Sequence, residues 1–252
     1  MANPKDSSLA EKTVLVTGSS SGIGREIAFG FAQEGARLVL TYNKGKKAGK
    51  ETAEKCRELG ASETFLLRLD VASDKSIRGC VKSAVKRFGK IDILVNNAGV
   101  LARHGNSMWV PFGEQTFKEI ELQCRVNLEG LMKMTSACIP HVKEMIINIS
   151  SGAGKTPYAE LVPYCATKYG VRGFSQSLAL GFPKLKVYCV NPGTTKTRMT
   201  NFEGTPPRKV AEVVLNTAKG NYKVPSGGDV DVWEILKAVP RPQGFFDNWN
   251  KK

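Results

Sequence analysis

Short apolar runs alternate with longer amphipathic stretches along the whole chain. The runs are Thr13-Val-Leu-Val-Thr17, Arg37-Leu-Val-Leu-Thr-Tyr42, Thr64-Phe-Leu-Leu-Arg-Leu69, Ile91–Val95, Met145–Ile149, Lys186–Val190 and Val230–Ile235. Each is too short for a helix, and the first six are largely apolar at consecutive positions, the pattern of a strand buried on both faces; Val230–Ile235 is read as the last strand. Helical periodicity fills the intervals: Arg25–Gln33, Ala48–Leu59, a stretch capped by Ser73 or Asp74 and reaching Phe88, and one from near Glu114 past Asn127 towards Cys138. Two more follow, one holding Tyr164 and Lys168 and one spanning Pro206–Ala218. Strand and helix in strict alternation predict an α/β protein, a doubly wound parallel sheet of about seven strands with helices on both faces. At 252 residues one domain suffices, with residues 1–11 a polar leader and residues 240–252 a peripheral tail.

Ligands in such sheets bind beyond the C-terminal ends of the strands. Thr13–Thr17 runs into Gly18-Ser-Ser-Ser-Gly22-Ile-Gly24 and then a helix, so strand, glycine-rich turn and helix N-terminus meet. That sequence suits a pyrophosphate, because small residues let the backbone approach and a helix N-terminus offers free N–H groups. The end of the second strand is where an acid would meet the ribose hydroxyls of NAD. Here no Asp or Glu occurs from Ala36 to Lys50, while Asn43 and Lys44 are followed by Lys46, Lys47 and Lys50. An amide and lysines can accept a 2′-phosphate, which points to NADP, with NAD possible. Ser21, where a basic residue would strengthen that choice, weakens it.

Tyr164 and Lys168 lie four apart on a helix and share one face. An unperturbed tyrosine titrates near about 10. A nearby cation is expected to favour the phenolate and bring that value down, which would let Tyr164 exchange a proton with a substrate oxygen. The pair alone also fits a core aromatic beside a solvated amine. Its company along the chain decides between the two readings.

Composition narrows the class. The chain carries 37 Lys and Arg against 23 Asp and Glu, a formal charge of +14, without an arginine-rich tail or aromatic-interleaved RNA motif. A basic surface and an anionic cofactor explain the excess, and no nucleic-acid partner is expected. No apolar run reaches membrane-spanning length, the start lacks a secretion-signal core, and the six cysteines form no metal-binding or disulfide pattern. A cytoplasmic protein without a metal site or membrane partner is the expectation.

The chain resembles the short-chain dehydrogenase/reductase family from about Thr13 to Thr200. Thr17–Gly24 looks like its cofactor loop, with contacts implied at Gly18, Ser20, Ser21, Gly22, Ile23 and Gly24. Asp70-Val71 is similar to the pair that meets adenine, and Asn96-Asn97-Ala98-Gly99 to the sheet-stabilising motif beside the cofactor. Ser151, thirteen positions before Tyr164, completes the Ser…Tyr-x-x-x-Lys pattern with Lys168, and Asn127 stands where the family has a fourth catalytic residue. Pro192-Gly193-Thr-Thr195-Lys-Thr197 resembles the loop at the nicotinamide. The resemblance implies hydride transfer between NADP(H) and a carbonyl or secondary alcohol, in a homodimer or homotetramer. Tyr164 would be the proton donor, Ser151 the oxyanion partner, Lys168 the ribose-binding cation and Asn127 the holder of a relay water. A silent NADP(H)-binding regulator of the same fold is the alternative, and it has no use for a proton donor. Tyr158 reads as pocket wall, Tyr169 as core, Cys165 as a packed thiol, and His104 as either pocket lining or surface.

Overall fold

The computed structural model describes residues 8–105 and 107–237; the expected leader falls largely outside them, and the tail wholly so. Seven parallel strands form one sheet, in the order β3-β2-β1-β4-β5-β6-β7. They are β1 (Thr13–Val16), β2 (Arg37–Tyr42), β3 (Glu63–Arg68), β4 (Ile91–Asn96), β5 (Val142–Ile149), β6 (Lys186–Asn191) and β7 (Asp229–Asp231). The helices are α1 (Gly22–Gln33), α2 (Lys46–Glu58), α3 (Asp74–Phe88), α4 (Phe117–Cys124), α5 (Gly130–Cys138), α6 (Val162–Gly181), α7 (Pro207–Ala218) and α8 (Val232–Leu236).

Period-two alternation divides the core. Val14 and Val16, Leu38 and Leu40, and Ile93 and Val95 point to the face covered by α1, α2 and α7. Leu15, Val39 and Leu94 point to the opposite face, under α3, α5 and α6. The strands need no polar face because both sides are covered. Strand order reverses where β1 lies between β2 and β4, and the chain opens its ligand edge at that switch point. Behind the edge, the Asn96 amide donates to Asn148 Oδ1 and Thr135 Oγ1, both at 2.9 Å, and Asn148 donates to Ser175 Oγ at 2.9 Å. Buried polar groups joined this way lock β4, β5, α5 and α6 together.

Three expected elements differ. Val232–Ile235 is helical, not strand: β7 stops at Asp231, whose carboxylate takes hydrogen bonds from Lys155 and Asn191. The helix expected from Glu114 starts at Phe117, behind a Thr116–Glu119 capping box. It also carries a π-helical turn at Arg125–Glu129, centred on Asn127. Tyr169 is not core; it is 38% exposed, and its hydroxyl donates to the Lys155 carbonyl at 2.6 Å.

An ionic cluster fastens the last strand to α6. Arg172 grips Asp229 through Nε and Nη2 at 2.6–3.1 Å, and its Nη1 donates to the Gly154 carbonyl at 2.8 Å. Burial raises the Asp229 carboxyl, but hydrogen bonds from Arg172 and Asn191, with the charges of Arg172 and Lys155, outweigh it and hold it below the ordinary value. The stabilisation is therefore complete above an unfolded carboxylate's pKa, about 3.9, and is lost as pH falls through the lower folded value. Arg172→Met should reduce the unfolding free energy at pH 7 by about 3 kcal/mol, since it strands a largely buried carboxylate. The gap should close once acid protonates Asp229 in the wild type. Urea unfolding at both pH values checks this, and equal midpoints at pH 7 would contradict it.

Candidate active site

The turn after β1 is shaped for close approach. Gly18 and Gly22 take positive φ (+66° and +56°), and a Cβ on Gly24 would stand 2.5 Å from the Gly18 carbonyl oxygen. Ser21, the N-cap of α1, makes no side-chain cap, and the first turn holds no acid. The opening N–H groups of α1 thus face outward with the positive end of the helix dipole. The turn is held from across the sheet. Asn97 Nδ2 donates to the Thr17 and Gly18 carbonyls at 2.9 and 3.3 Å, and Thr17 Oγ1 accepts from the Asn97 and Ala98 amides at 2.9 and 3.0 Å. A cradle that a single Cβ would fill, over uncapped N–H groups, fits a pyrophosphate.

The other candidate cofactor residues surround this cradle. Ser20 lies beside the β2–α2 connection, where a Cβ on Gly45 would be 3.7 Å from its hydroxyl, so exposed Asn43 and Lys44 border the turn. Ile23 packs on the core beneath α1. Asp70 turns its carboxylate back to accept from the Ala72 amide at 3.0 Å, and the Val71 carbonyl abuts α5 at Gly130. After β6, the Pro192 carbonyl takes the Gly152 amide at 2.7 Å, and Thr195 Oγ1 donates to the Gly193 carbonyl at 2.9 Å. Thr197 reaches the glycine turn: a Cβ on Gly22 would be 3.3 Å from its methyl.

The candidate catalytic groups converge at the same edge. Ser151 caps a short 3-10 turn with its hydroxyl, which accepts from the Ala153 amide at 3.2 Å and lies near enough to the Tyr164 phenol to favour its ionised form. Ser150 is separate, its hydroxyl given to the Lys168 carbonyl at 2.8 Å. Lys168 Nζ lies 5.6 Å from the centre of the Tyr164 ring and donates to the Ile149 carbonyl at 3.0 Å. Asn127 Oδ1 and Lys168 Nζ both face Gly99, 3.3 and 3.8 Å from where its Cβ would be. The Asn127 amide makes a two-way bond to Val100, accepting at 2.7 Å and donating at 2.8 Å, which the π-helical turn allows.

The titration of Tyr164 runs against the expectation from spacing. Burial pushes the phenol up to about 12, opposed only by the Ser151 hydrogen bond. Lys168 exerts no downward pull, because burial lowers its own value to about 8. Desolvation disfavours both charged forms: the phenol keeps its proton up to about 12, while the amine releases its own near 8.

Tyr158, against Trp109 (ring centroids 6.2 Å apart), joins Leu101, Leu161 and Cys165 around Tyr164. The Cys165 thiol is buried and raised by desolvation. His104 is exposed and pairs with Glu119 at 3.2 Å, a surface contact. Sequence reasoning passed over Arg103 and Arg198. Arg103 donates to the Arg198 carbonyl at 2.6 Å and to Asn201 Oδ1, joining the connections that follow β4 and β6. No local pattern marks a pair 95 positions apart.

Known proteins share this arrangement. The family model described as short chain dehydrogenase matches residues 12–207. A trans-4-hydroxycyclohexanecarboxylate dehydrogenase from Sinomonas cyclohexanicum is 32% identical over 240 residues, 92% of this chain and 85% of that one. Mouse dehydrogenase/reductase SDR family member 7 is 31% identical, with 91% of this chain and 68% of that protein covered. Among solved structures, a short chain dehydrogenase from Burkholderia cenocepacia J2315 in complex with NADP superposes with a TM-score of 0.80 at 26% identity, over 88% of this chain and 96% of that one. A 3-oxoacyl-[acyl-carrier protein] reductase from Brucella melitensis in complex with NAD gives 0.81 at 26% identity, over 91% and 98%. With its parallel sheet, glycine cradle and Ser–Tyr–Lys edge, this chain belongs to the short-chain dehydrogenase/reductase family.

Proposed function

We propose that the protein is an NADP(H)-dependent oxidoreductase that interconverts a carbonyl and a secondary alcohol, with Tyr164 as the proton donor and acceptor. One observation carries the reading: the Ser151 hydroxyl is close enough to the Tyr164 phenol to oppose its desolvation, and the Lys168 amine lies 5.6 Å from the centre of the Tyr164 ring, all on the edge that holds the glycine cradle. A bound nicotinamide would supply the hydride. The protein's part is to orient the substrate oxygen and to handle one proton. Ser151 donates a hydrogen bond to that oxygen as charge develops. Tyr164 delivers its proton over the same short distance. Lys168 holds the ribose and, once charged, opposes the burial that keeps Tyr164 neutral. Asn127, fixed through Val100, holds the water that returns the proton to Lys168. A silent regulator would require none of these four groups in one place.

Several features support NADP over NAD. No acid follows β2, and Asn43 and Lys44 flank the cradle. Arg25 donates to the Ser20 carbonyl at 2.7 Å and keeps a buried Nε without a hydrogen-bond partner. The Burkholderia neighbour binds NADP and the Brucella neighbour NAD. The name of the Sinomonas relative states a secondary alcohol as its substrate. We place the protein in the cytoplasm as a single domain over residues 1–252. No helix among the described residues is long and apolar enough to cross a membrane, and all six cysteines are free. Its partner is a second copy of the chain, docked on the face where α4 and α6 expose Phe117, Leu122, Val162 and Tyr169.

Three measurements test the reading. Tyr164→Phe should bind NADPH as the wild type does while carbonyl reduction falls by about 100-fold or more; undiminished turnover would remove the mechanism. Wild-type protein should bind NADPH more tightly than NADH, and Lys44→Glu should shrink that gap by about tenfold, the worth of one charge-assisted contact. Equal affinities in the wild type would contradict the cofactor choice. Light scattering should give at least twice the 27.4 kDa of one chain, and Phe117→Glu should shift the protein towards monomer; a monomeric wild type would refute the proposed pairing.

A further inference from the structure

An open cleft of about 620 Å³ lies between the β4–α4 and β6–α7 connections, lined by Arg103, Gly105, Arg198, Asn201 and Phe202. Its two walls continue from segments of the proposed site. Arg198 directly follows Thr197, which touches the glycine turn, and Arg103 stands two residues past Leu101, which packs on the same small apolar cluster as Tyr164. Among the described residues no carboxylate side chain lines the cleft. Of the cations in residues 192–210, Arg208 and Lys209 pair with Glu212 at 3.7 and 3.1 Å, which leaves Lys196 and Arg198 as the positive charges of the β6–α7 connection.

The two arginines are placed differently. Arg103 is engaged with the opposite wall, donating to the Arg198 carbonyl and the Asn201 side chain. The Arg198 guanidinium is exposed, and no protein partner is recorded for it among the described residues. The backbone that carries it is held under strain: Asn201 and Phe202 are consecutive non-glycine residues with φ of +51° and +62°, a conformation that costs energy and gathers at ligand clamps. Thr200 steadies the turn from within, its hydroxyl donating to the Thr195 carbonyl at 2.5 Å. Phe202 adds a 62% exposed aromatic surface to the same cleft. A planar fork of N–H donors beside an apolar ring suits a carboxylate on a hydrophobic body.

We propose that this cleft binds a carboxylate carried by the substrate, with Arg198 as its partner and Arg103 positioning the loop that presents Arg198. The inference deepens the oxidoreductase reading and rests on it: the substrate class becomes oxo acids or hydroxy acids whose acid group lies away from the reacting carbon.

The test uses the full-length protein saturated with NADP⁺ and three series of oxo acids, aromatic, alicyclic and straight-chain, each beside its methyl ester. Calorimetric titration should show at least one acid binding about tenfold or more tightly than its ester, as one charge-assisted contact implies. Arg198→Gln should erase that preference and leave NADP⁺ affinity unchanged. Arg208→Gln, which removes a charge from α7 outside the cleft, should retain it. No acid preference in any series, or a preference that survives in Arg198→Gln, would overturn the assignment. Weakened NADP⁺ binding in Arg198→Gln would overturn it too, by giving Arg198 to the cofactor. Turnover of the same compounds with NADPH in place of NADP⁺ separates the two levels. Esters reduced without acid preference would leave the oxidoreductase and remove the carboxylate site. Selective acid binding without turnover of any compound would do the reverse.

Discussion

A parallel sheet ends its strands with backbone groups that no neighbouring strand can satisfy, and this chain spends the side chains of its site on them. The Thr17 and Gly18 carbonyls are taken by Asn97, the Ile149 carbonyl by Lys168, and the Pro192 carbonyl by the amide of Gly152 beside Ser151. Each bond satisfies a group that would be costly to leave open in a dry edge. Each also fixes a residue of the proposed machinery to the end of a particular strand. Stability and the placement of the site are thus the same set of contacts, which is why the edge can be polar without being loose.

Desolvation governs the chemistry at that edge. With Tyr164 near 12 and Lys168 near 8, the phenol holds its proton well above neutral pH, while the amine beside it releases its own just above pH 7. A proton donor that stays protonated suits reduction, where it has to hold its proton until charge builds on the substrate oxygen. The ionic cluster behind Ser151 is structural. Arg172 ties Gly154 to Asp229 and so joins the serine turn, α6 and the last strand.

Much of this was legible in the sequence because it is local. The first six apolar runs, the Gly18–Gly24 turn and the Tyr164–Lys168 spacing are all contained within a few residues; the runs form strands of the sheet, and the turn and the pair lie at its ligand edge. Features that depend on distant partners were not legible. Arg172 and Asp229 are 57 positions apart, and Arg103 and Arg198 are 95 apart. Val230–Ile235 reads as a last strand, yet the chain turns helical after Asp231, whose carboxylate is held by Lys155 and Asn191 from distant elements. Tyr169 has the spacing of a core residue on α6, but its hydroxyl finds a partner only at the surface. The π-helical turn at Asn127 exists for Val100, a partner on another element.

The account stands on Ser151, Tyr164 and Lys168 forming one proton-handling group against a bound nicotinamide. A crystal structure of the protein with NADP⁺ addresses this most directly. The account predicts the pyrophosphate over the Gly18–Gly24 turn, Lys168 turned from the Ile149 carbonyl towards the ribose, and the nicotinamide ring beside the Tyr164 hydroxyl. A cofactor seated elsewhere on the sheet edge, or one whose nicotinamide lies away from Tyr164 and Ser151, would contradict it.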